Sequence, residues 1–171
     1  MPLPPTGIPA DARHAWIAIV GPEHVVDDVD ALDAASTATF TTRVRVPLIV
    51  RPETRQQVQE CLRVATRFGI PVYPVSSGLN WGYGSRVPAS DGNVVLDLRR
   101  MRRIVDFSEA LAYVTVEPGV TQQHLFDFLA AQRSRLWMDA TGTSPAASLI
   151  GNTMERGFGH TPYGDHFAHV C

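Results

Sequence analysis

The chain contains no lysine: all 15 basic side chains among its 171 residues are arginine. This excludes a lysine-based phosphate loop, Schiff-base chemistry and a lysine general base. Acidic residues number 17 and the formal net charge is −2, which disfavours a nucleic-acid partner bound by phosphate neutralisation. No apolar run approaches the ~20 residues that span a bilayer. The first residues lack the basic start and apolar stretch of a secretory signal. Only two cysteines occur, Cys61 and Cys171, far apart. No disulfide framework is expected, and a reducing, cytoplasmic compartment is. Metal and hydrolase signatures are also missing. His160, His166, His169 and Asp165 lie close in sequence, but no cysteine pair or His-Glu-x-x-His pattern accompanies them, so no metal centre is expected. No Gly-x-Ser-x-Gly elbow occurs.

What is present is the composition of a folded chain, 44% apolar and 19% charged, long enough for one domain or part of one. Residues 10–20 predict a helix with Ala12, Ala15, Trp16 and Ile19 on one face, ended by Gly21-Pro22. Residues 27–42 read as an irregular connection. Residues 46–50 form a short apolar run expected to be a strand. Thr54 is a suitable cap for a helix reaching about Phe68, with Val58, Leu62, Ala65 and Phe68 at helical spacing and Gly69 as its stop. Strands follow at 70–75 and 93–98. The β-α-β order implies a right-handed crossover between parallel strands. Residues 104–107 and 113–116 read as a hairpin. Thr121 caps a helix to about Gln132 with Leu125, Phe128 and Leu129 inside; residues 135–138 are extended and 146–155 helical. The Gly-rich, polar C-terminal stretch ends with nothing to close a sheet, and the sequence is expected to be a piece of a longer protein. Alone it is expected to be poorly soluble, with apolar surface and sheet edges uncovered.

Two stretches carry chemistry. After the strand at 70–75 comes Ser76-Ser77-Gly78-Leu79-Asn80-Trp81-Gly82-Tyr83-Gly84-Ser85. Glycine admits close approach of a backbone to a ligand, and successive N–H groups with serine hydroxyls make a nest for anions. A diphosphate fits that loop without lysine; a plain turn fits it as well. The spacing is not Gly-x-Gly-x-x-Gly opening a helix, so a Rossmann site is not supported. The second stretch runs from Thr141-Gly142-Thr143-Ser144 through Ser148-Leu149-Ile150-Gly151-Asn152 to Gly157-Phe158-Gly159-His160-Thr161-Pro162-Tyr163-Gly164-Asp165-His166. Its small residues suit packing against a flat ligand or another backbone. Asn152 offers an amide to a heterocycle edge. Asp165 is either a base or electrostatic partner, or, like Tyr163, a turn residue.

The runs 70–84, Val116-Glu117-Pro118-Gly119-Val120-Thr121 and 149–166, in this order, resemble the vanillyl-alcohol oxidase / p-cresol methylhydroxylase flavoprotein family. The last run is similar to the 4-alkylphenol-oxidising branch. The resemblance implies an α+β, FAD-binding fold of two subdomains, with residues 1–45 a preceding helix and connection and 46–171 an incomplete FAD-binding domain whose substrate domain is absent. It implies that Ser76, Ser77, Gly78, Leu79, Asn80, Gly82, Tyr83 and Gly84 contact the diphosphate, mainly through backbone N–H groups. It implies that Pro118, Gly119, Gly142, Ser148, Gly151, Asn152, Gly159, Tyr163 and Gly164 line FAD, and that Asp165 stands near flavin N5 and assists hydride transfer. The implied substrate is a small alcohol or a phenolic compound. Leu79 stands where the phenol oxidases often carry a basic residue. No histidine lies between His24 and His124, so the covalent flavin–histidine link made in this loop elsewhere in the superfamily is not available. A different expectation is a non-catalytic nucleotide-binding or regulatory piece, inactive by itself.

Overall fold

A computed structural model of the chain describes residues 7–79, 86–162 and 164–170. It has two compact units, one reaching Val75 and resuming in a segment that ends at Arg100, the other taking the residues from Ser76 and those from Met101 onward.

In the first unit, helix α1 (Ala10–Val20) is followed by strand β1 (Val25–Val26), helix α2 (Val29–Ala35), strand β2 (Ile49–Val50), helix α3 (Arg55–Phe68), and strands β3 (Val72–Val75) and β4 (Val94–Asp97). The sheet order is β1-β2-β4-β3. Strand β4 runs parallel to both neighbours, and β1 is antiparallel to β2. Sheets of parallel strands bury both faces, and the alternation along β4 shows how. Val94 and Leu96 join Val50, Ala12, Trp16, Val20, Cys61 and Ala65 in one core, whereas Val95 joins Ile49, Val46, Val75 and Ala35 in another. The second core accounts for helix α2, which lies in a segment expected to be an irregular connection. Helix α2 is opened by Asp28, whose side chain accepts from Ala31 N at 3.0 Å, and it supplies Ala31, Leu32 and Ala35 to that face.

Helix α3 begins at Thr54, whose hydroxyl accepts from Gln57 N, while Gln57 Oε1 accepts from Glu53 N. This reciprocal arrangement satisfies two main-chain donors at the helix start. Gly69 ends the helix in the left-handed conformation. The inner stripe is Cys61 and Ala65 flanked by Val58 and Phe68; Leu62, expected inside, is 41% exposed. One residue along a helix turns the side chain by about 100°, and Cys61 rather than Leu62 meets α1. Trp16 Nε1 donates to the Cys61 carbonyl at 3.1 Å. Burial, reinforced by the Glu60 charge, pushes the Cys61 thiol up to about 12. At the end of β4, buried Asp97 is flanked by Arg99 Nε at 2.6 Å and Arg51 Nε at 3.3 Å.

The second unit contains hairpin strands β5 (Ile104–Ser108) and β6 (Tyr113–Val116), helix α4 (Gln122–Ala131) and short helix α5 (Leu149–Met154). The hairpin matches the sequence expectation. At its base Glu117 receives Arg103 N, Nε and Nη2 at 2.8, 2.9 and 2.7 Å. Thr121 and His124 form a capping box that starts α4. Phe128 stacks edge-on against Phe107 with centroids 5.3 Å apart. Residues 135–138, expected extended, form no strand. Among the described residues no helix is long and apolar enough to cross a membrane.

Two predictions test this packing. Trp16 is 1% exposed, and Trp16→Ala is expected to cost about 3–5 kcal/mol, read from urea unfolding; a loss below 1 kcal/mol would remove α1 from the core. For Glu117, burial opposes the charge, but hydrogen bonds and the charge of Arg103 hold its carboxyl below the usual range. A depressed folded pKa stabilises the protein above the unfolded value of about 4.3, and that gain is lost as pH falls through the folded value. The Tm deficit of Glu117→Gln should therefore be full at neutral pH and shrink below about pH 4.3. A deficit constant into acid contradicts the ion pair.

Candidate functional site

The site is assembled around the hydroxyl of Ser148, which is fully buried. Ser148 Oγ donates to the Pro118 carbonyl at 2.9 Å and accepts from Gly151 N at 3.0 Å, so it caps α5 and holds the turn after β6 at once. Its own N–H donates to Ser77 Oγ at 3.0 Å. Two further main-chain bonds, Leu149 N to Val120 O and Gln122 N to Ala147 O, stitch the segment before α5 to the start of α4. Gly119 N donates to Met101 O at 2.7 Å. Four residues expected at the site from separate parts of the sequence, Ser77, Pro118, Ser148 and Gly151, are thus joined by direct hydrogen bonds.

The loop that begins at Ser76 follows the end of β3. Gly78 has φ +67°, a left-handed conformation that side chains rarely adopt. Among the described residues the N–H groups of Ser76, Gly78 and Leu79 meet no hydrogen-bond acceptor. Leu79 is exposed. Asn80, Gly82, Tyr83 and Gly84, expected in the same loop, lie outside the described residues, as does Tyr163.

Residues 157–162 and 164–166 form a short ladder of their own. Phe158 bridges Asp165 antiparallel, Gly159 N donates to Gly164 O at 2.7 Å, and His166 N donates to Gly157 O at 3.3 Å. Asn152 anchors its stem: Asn152 Oδ1 lies 2.5 Å from His166 Nδ1. The Asn152 amide also occupies the space where a Cβ on Gly157 would stand. Gly142 is packed beside His160, with Nε2 3.1 Å from the position of a Cβ. Asp165 is exposed, and its Oδ1 accepts from Phe167 N at 3.2 Å at the start of a single helical turn, His166–His169. No hydrogen bond links Asp165 to the Ser148 cluster among the described residues.

Two site residues escape sequence reasoning. Gln122 is buried and clamps the segment carrying Gly142, its Oε1 accepting from Thr141 N at 2.8 Å and its Nε2 donating to Thr141 Oγ1 and Ser144 O. Asp139 supports the 157–166 loop: Oδ1 accepts from His160 N at 2.9 Å and Oδ2 from Thr161 Oγ1 at 2.8 Å. Neither lies in a glycine-rich run. The only signal for Asp139 is its place just before Thr141-Gly142, and nothing marks Gln122 as buried. Two hollows open here. One of about 640 Å³ runs along α4 past Phe126, Leu129, Trp137 and Ala140. Another of about 260 Å³ is bordered by Asp139, Thr141, Asn152 and His166. Among the described residues no three metal-ligating side chains come together.

Residues 46–171 match the family model described as FAD binding domain. The chain is 49% identical over 160 residues, 94% of its length, to 1'-carboxy-chondrochloren decarboxylase of Chondromyces crocatus. It is 38% identical over 122 residues, 71% of its length, to the flavoprotein subunit of 4-cresol dehydrogenase [hydroxylating] of Pseudomonas putida. In structure it is similar to p-cresol methylhydroxylase with substrate bound, with a TM-score of 0.89 and 31% identity over 97% of the chain. It spans 30% and 23% of the two curated relatives and 33% of the solved chain. By the domain model that covers most of its length, and by these relatives, the chain belongs to the FAD binding domain family and is part of an FAD-binding protein of p-cresol methylhydroxylase type.

Proposed function

We propose that the whole protein is an FAD-dependent oxidoreductase that removes a hydride from a small alcohol or 4-alkylphenol. The observation that carries this reading is the Asp165 carboxylate, presented on a hydrogen-bonded ladder with one oxygen committed to Phe167 N. FAD, when bound, supplies the two-electron acceptor at flavin N5. The residues present suit that cofactor. The N–H groups of Ser76, Gly78 and Leu79, without acceptors among the described residues, are donors for a diphosphate. Ser77 Oγ accepts from Ser148 N and keeps its own O–H to donate. Asn80, Gly82, Tyr83 and Gly84 complete this loop in the proposal. In the proposal Pro118, Gly142, Gly151, Gly159 and Tyr163 form the surface against the ring system, and the buried Gly119, Ser148, Asn152 and Gly164 back it from behind. Loss of a hydride leaves the substrate carbon electron-poor, and the Asp165 carboxylate stabilises the charge that develops there.

A second reading is favoured by the 49% identity to a decarboxylase over 94% of the chain. Here the substrate carries a carboxylate: FAD, when bound, would take a hydride from the carbon next to the one that bears it, and the electron pair of the carbon–carboxylate bond would close a carbon–carbon double bond as carbon dioxide leaves. Product analysis separates the two: carbon dioxide released in step with flavin bleaching supports the second, and an aldehyde, ketone or hydroxylated product supports the first.

Two outcomes are expected of the full-length protein. Asp165→Asn should keep FAD bound, seen in the visible spectrum, while flavin reduction by substrate slows roughly 10²–10⁴-fold. Unchanged reduction in a stopped-flow experiment removes Asp165 from the reaction. Gly78→Val should weaken FAD binding, because forcing a side chain to positive φ costs about 1–2 kcal/mol, roughly 5- to 30-fold in Kd. Retained affinity by fluorescence titration speaks against the loop. A colourless protein indifferent to FAD would instead be a non-catalytic module.

A further inference from the structure

The 157–166 loop has little apolar burial to hold it. Phe158 is exposed, His160 and Pro162 are exposed, and Thr161 is half-buried. Its shape is set instead by one carboxylate. Asp139 enters the turn from outside the loop and accepts hydrogen bonds from His160 N on Oδ1 and Thr161 Oγ1 on Oδ2, with the Thr161 main-chain N–H also contributing. His166 Nε2, which has no hydrogen-bond partner among the described residues, lies 3.8 Å from Asp139 Oδ2. The carboxylate fills the volume that a Cβ on Gly159 would take, and a Cβ on Gly164 would stand 2.9 Å from Oδ2. At Gly159 the carboxylate leaves no room for a side chain, and at Gly164 it does so together with the Gly159 carbonyl. Burial works against the charge, yet the hydrogen bonds from Thr161 and His160 with the nearby His166 hold the Asp139 carboxyl below the usual carboxylate range, so it stays an acceptor at neutral pH.

We propose that Asp139 is the positioning residue for Asp165: it fixes His160 and Thr161 and through them the register of the arm that presents the catalytic carboxylate. The chain of contacts is continuous. Asp139 holds His160 and Thr161; Gly159 N is bonded to Gly164 O; Phe158 is bridged to Asp165. A misplacement near 1 Å can cost about 10²-fold in rate, so a residue that touches no reacting atom can control the step. This inference rests on the catalytic role proposed for Asp165.

The test uses the full-length, FAD-loaded protein and the variants Asp139→Asn, Asp165→Asn and the double variant. Asparagine keeps the shape but presents an N–H₂ where a donor of the turn needs an acceptor. Asp139→Asn is expected to lower the limiting rate of flavin reduction roughly 10–100-fold, with FAD content and half-saturating substrate concentration unchanged. In the Asp165→Asn background the same change should cost less than about twofold, since residues acting as a unit are not additive. Independently of turnover, amide exchange at Gly159 and His160 should rise at least about tenfold as the turn loosens. An unchanged rate with Asp139→Asn, or a full loss that persists without the Asp165 carboxylate, overturns the proposal. If Asp165→Asn itself leaves reduction unchanged, the catalytic reading fails and takes this one with it; if only Asp139→Asn is silent, this one fails alone. Should Asp139→Asn not fold, Thr161→Val removes the hydroxyl donor and is expected to slow reduction about 3–10-fold by the same displacement; no slowing there counts against the proposal.

Discussion

A buried hydroxyl must spend its hydrogen-bonding capacity inside the protein or lose it, and Ser148 donates to the remote Pro118 while accepting from Gly151 at the start of its own helix. Its oxygen joins Pro118 to the start of α5, and its backbone N–H joins Ser77. The turn after the hairpin, the entry to α5 and the loop after β3 are therefore set by one residue. Alanine would fill nearly the same space and leave the Pro118 carbonyl and Gly151 N–H to find other partners. The glycine- and serine-rich parts of the chain, which have little apolar surface to bury, acquire definite positions in this way.

The same economy appears in the clamps. Gln122 fastens the segment carrying Gly142 through three hydrogen bonds, Asn152 fastens the stem of the 157–166 loop through His166, and Asp139 fastens its turn. Each clamp is a polar side chain reaching across 14 to 22 residues of sequence. The apolar cores described lie elsewhere, on the two faces of the parallel strands. Stability and site geometry thus draw on different physics: area removed from water holds the sheet, and satisfied polar groups shape the loops. A carboxylate on a polar-held loop can be re-aimed by one substitution without disturbing the cores, which is the condition for tuning chemistry on a constant fold.

Local signals were legible where one short stretch decides its own conformation. Thr54 and Thr121 announce their helices because a hydroxyl three residues from a free N–H caps it wherever the helix packs. The hairpin was legible from two short runs and a polar turn. Helix α2 leaves little trace in the sequence because its Ala- and Asp-rich segment has little periodicity. It is a helix because Val95 and Ile49 need cover on the second face of the sheet, a need that arises only once the strands are side by side. Leu62 and Cys61 exchanged places for a similar reason: spacing allows either, and contact with Trp16 chooses.

The sequence by itself determined the absence of lysine chemistry, the helix starts, the hairpin and the resemblance to a flavoprotein family, because these depend on residue type and near neighbours. Only the tertiary structure decided which polar residues serve the site. Asp139 and Gln122 are ordinary residues in an ordinary stretch until folding brings His160, Thr161 and Thr141 within hydrogen-bond distance of them. A hydrogen bond between residues some twenty positions apart leaves no local trace, since neither partner's own neighbourhood requires it.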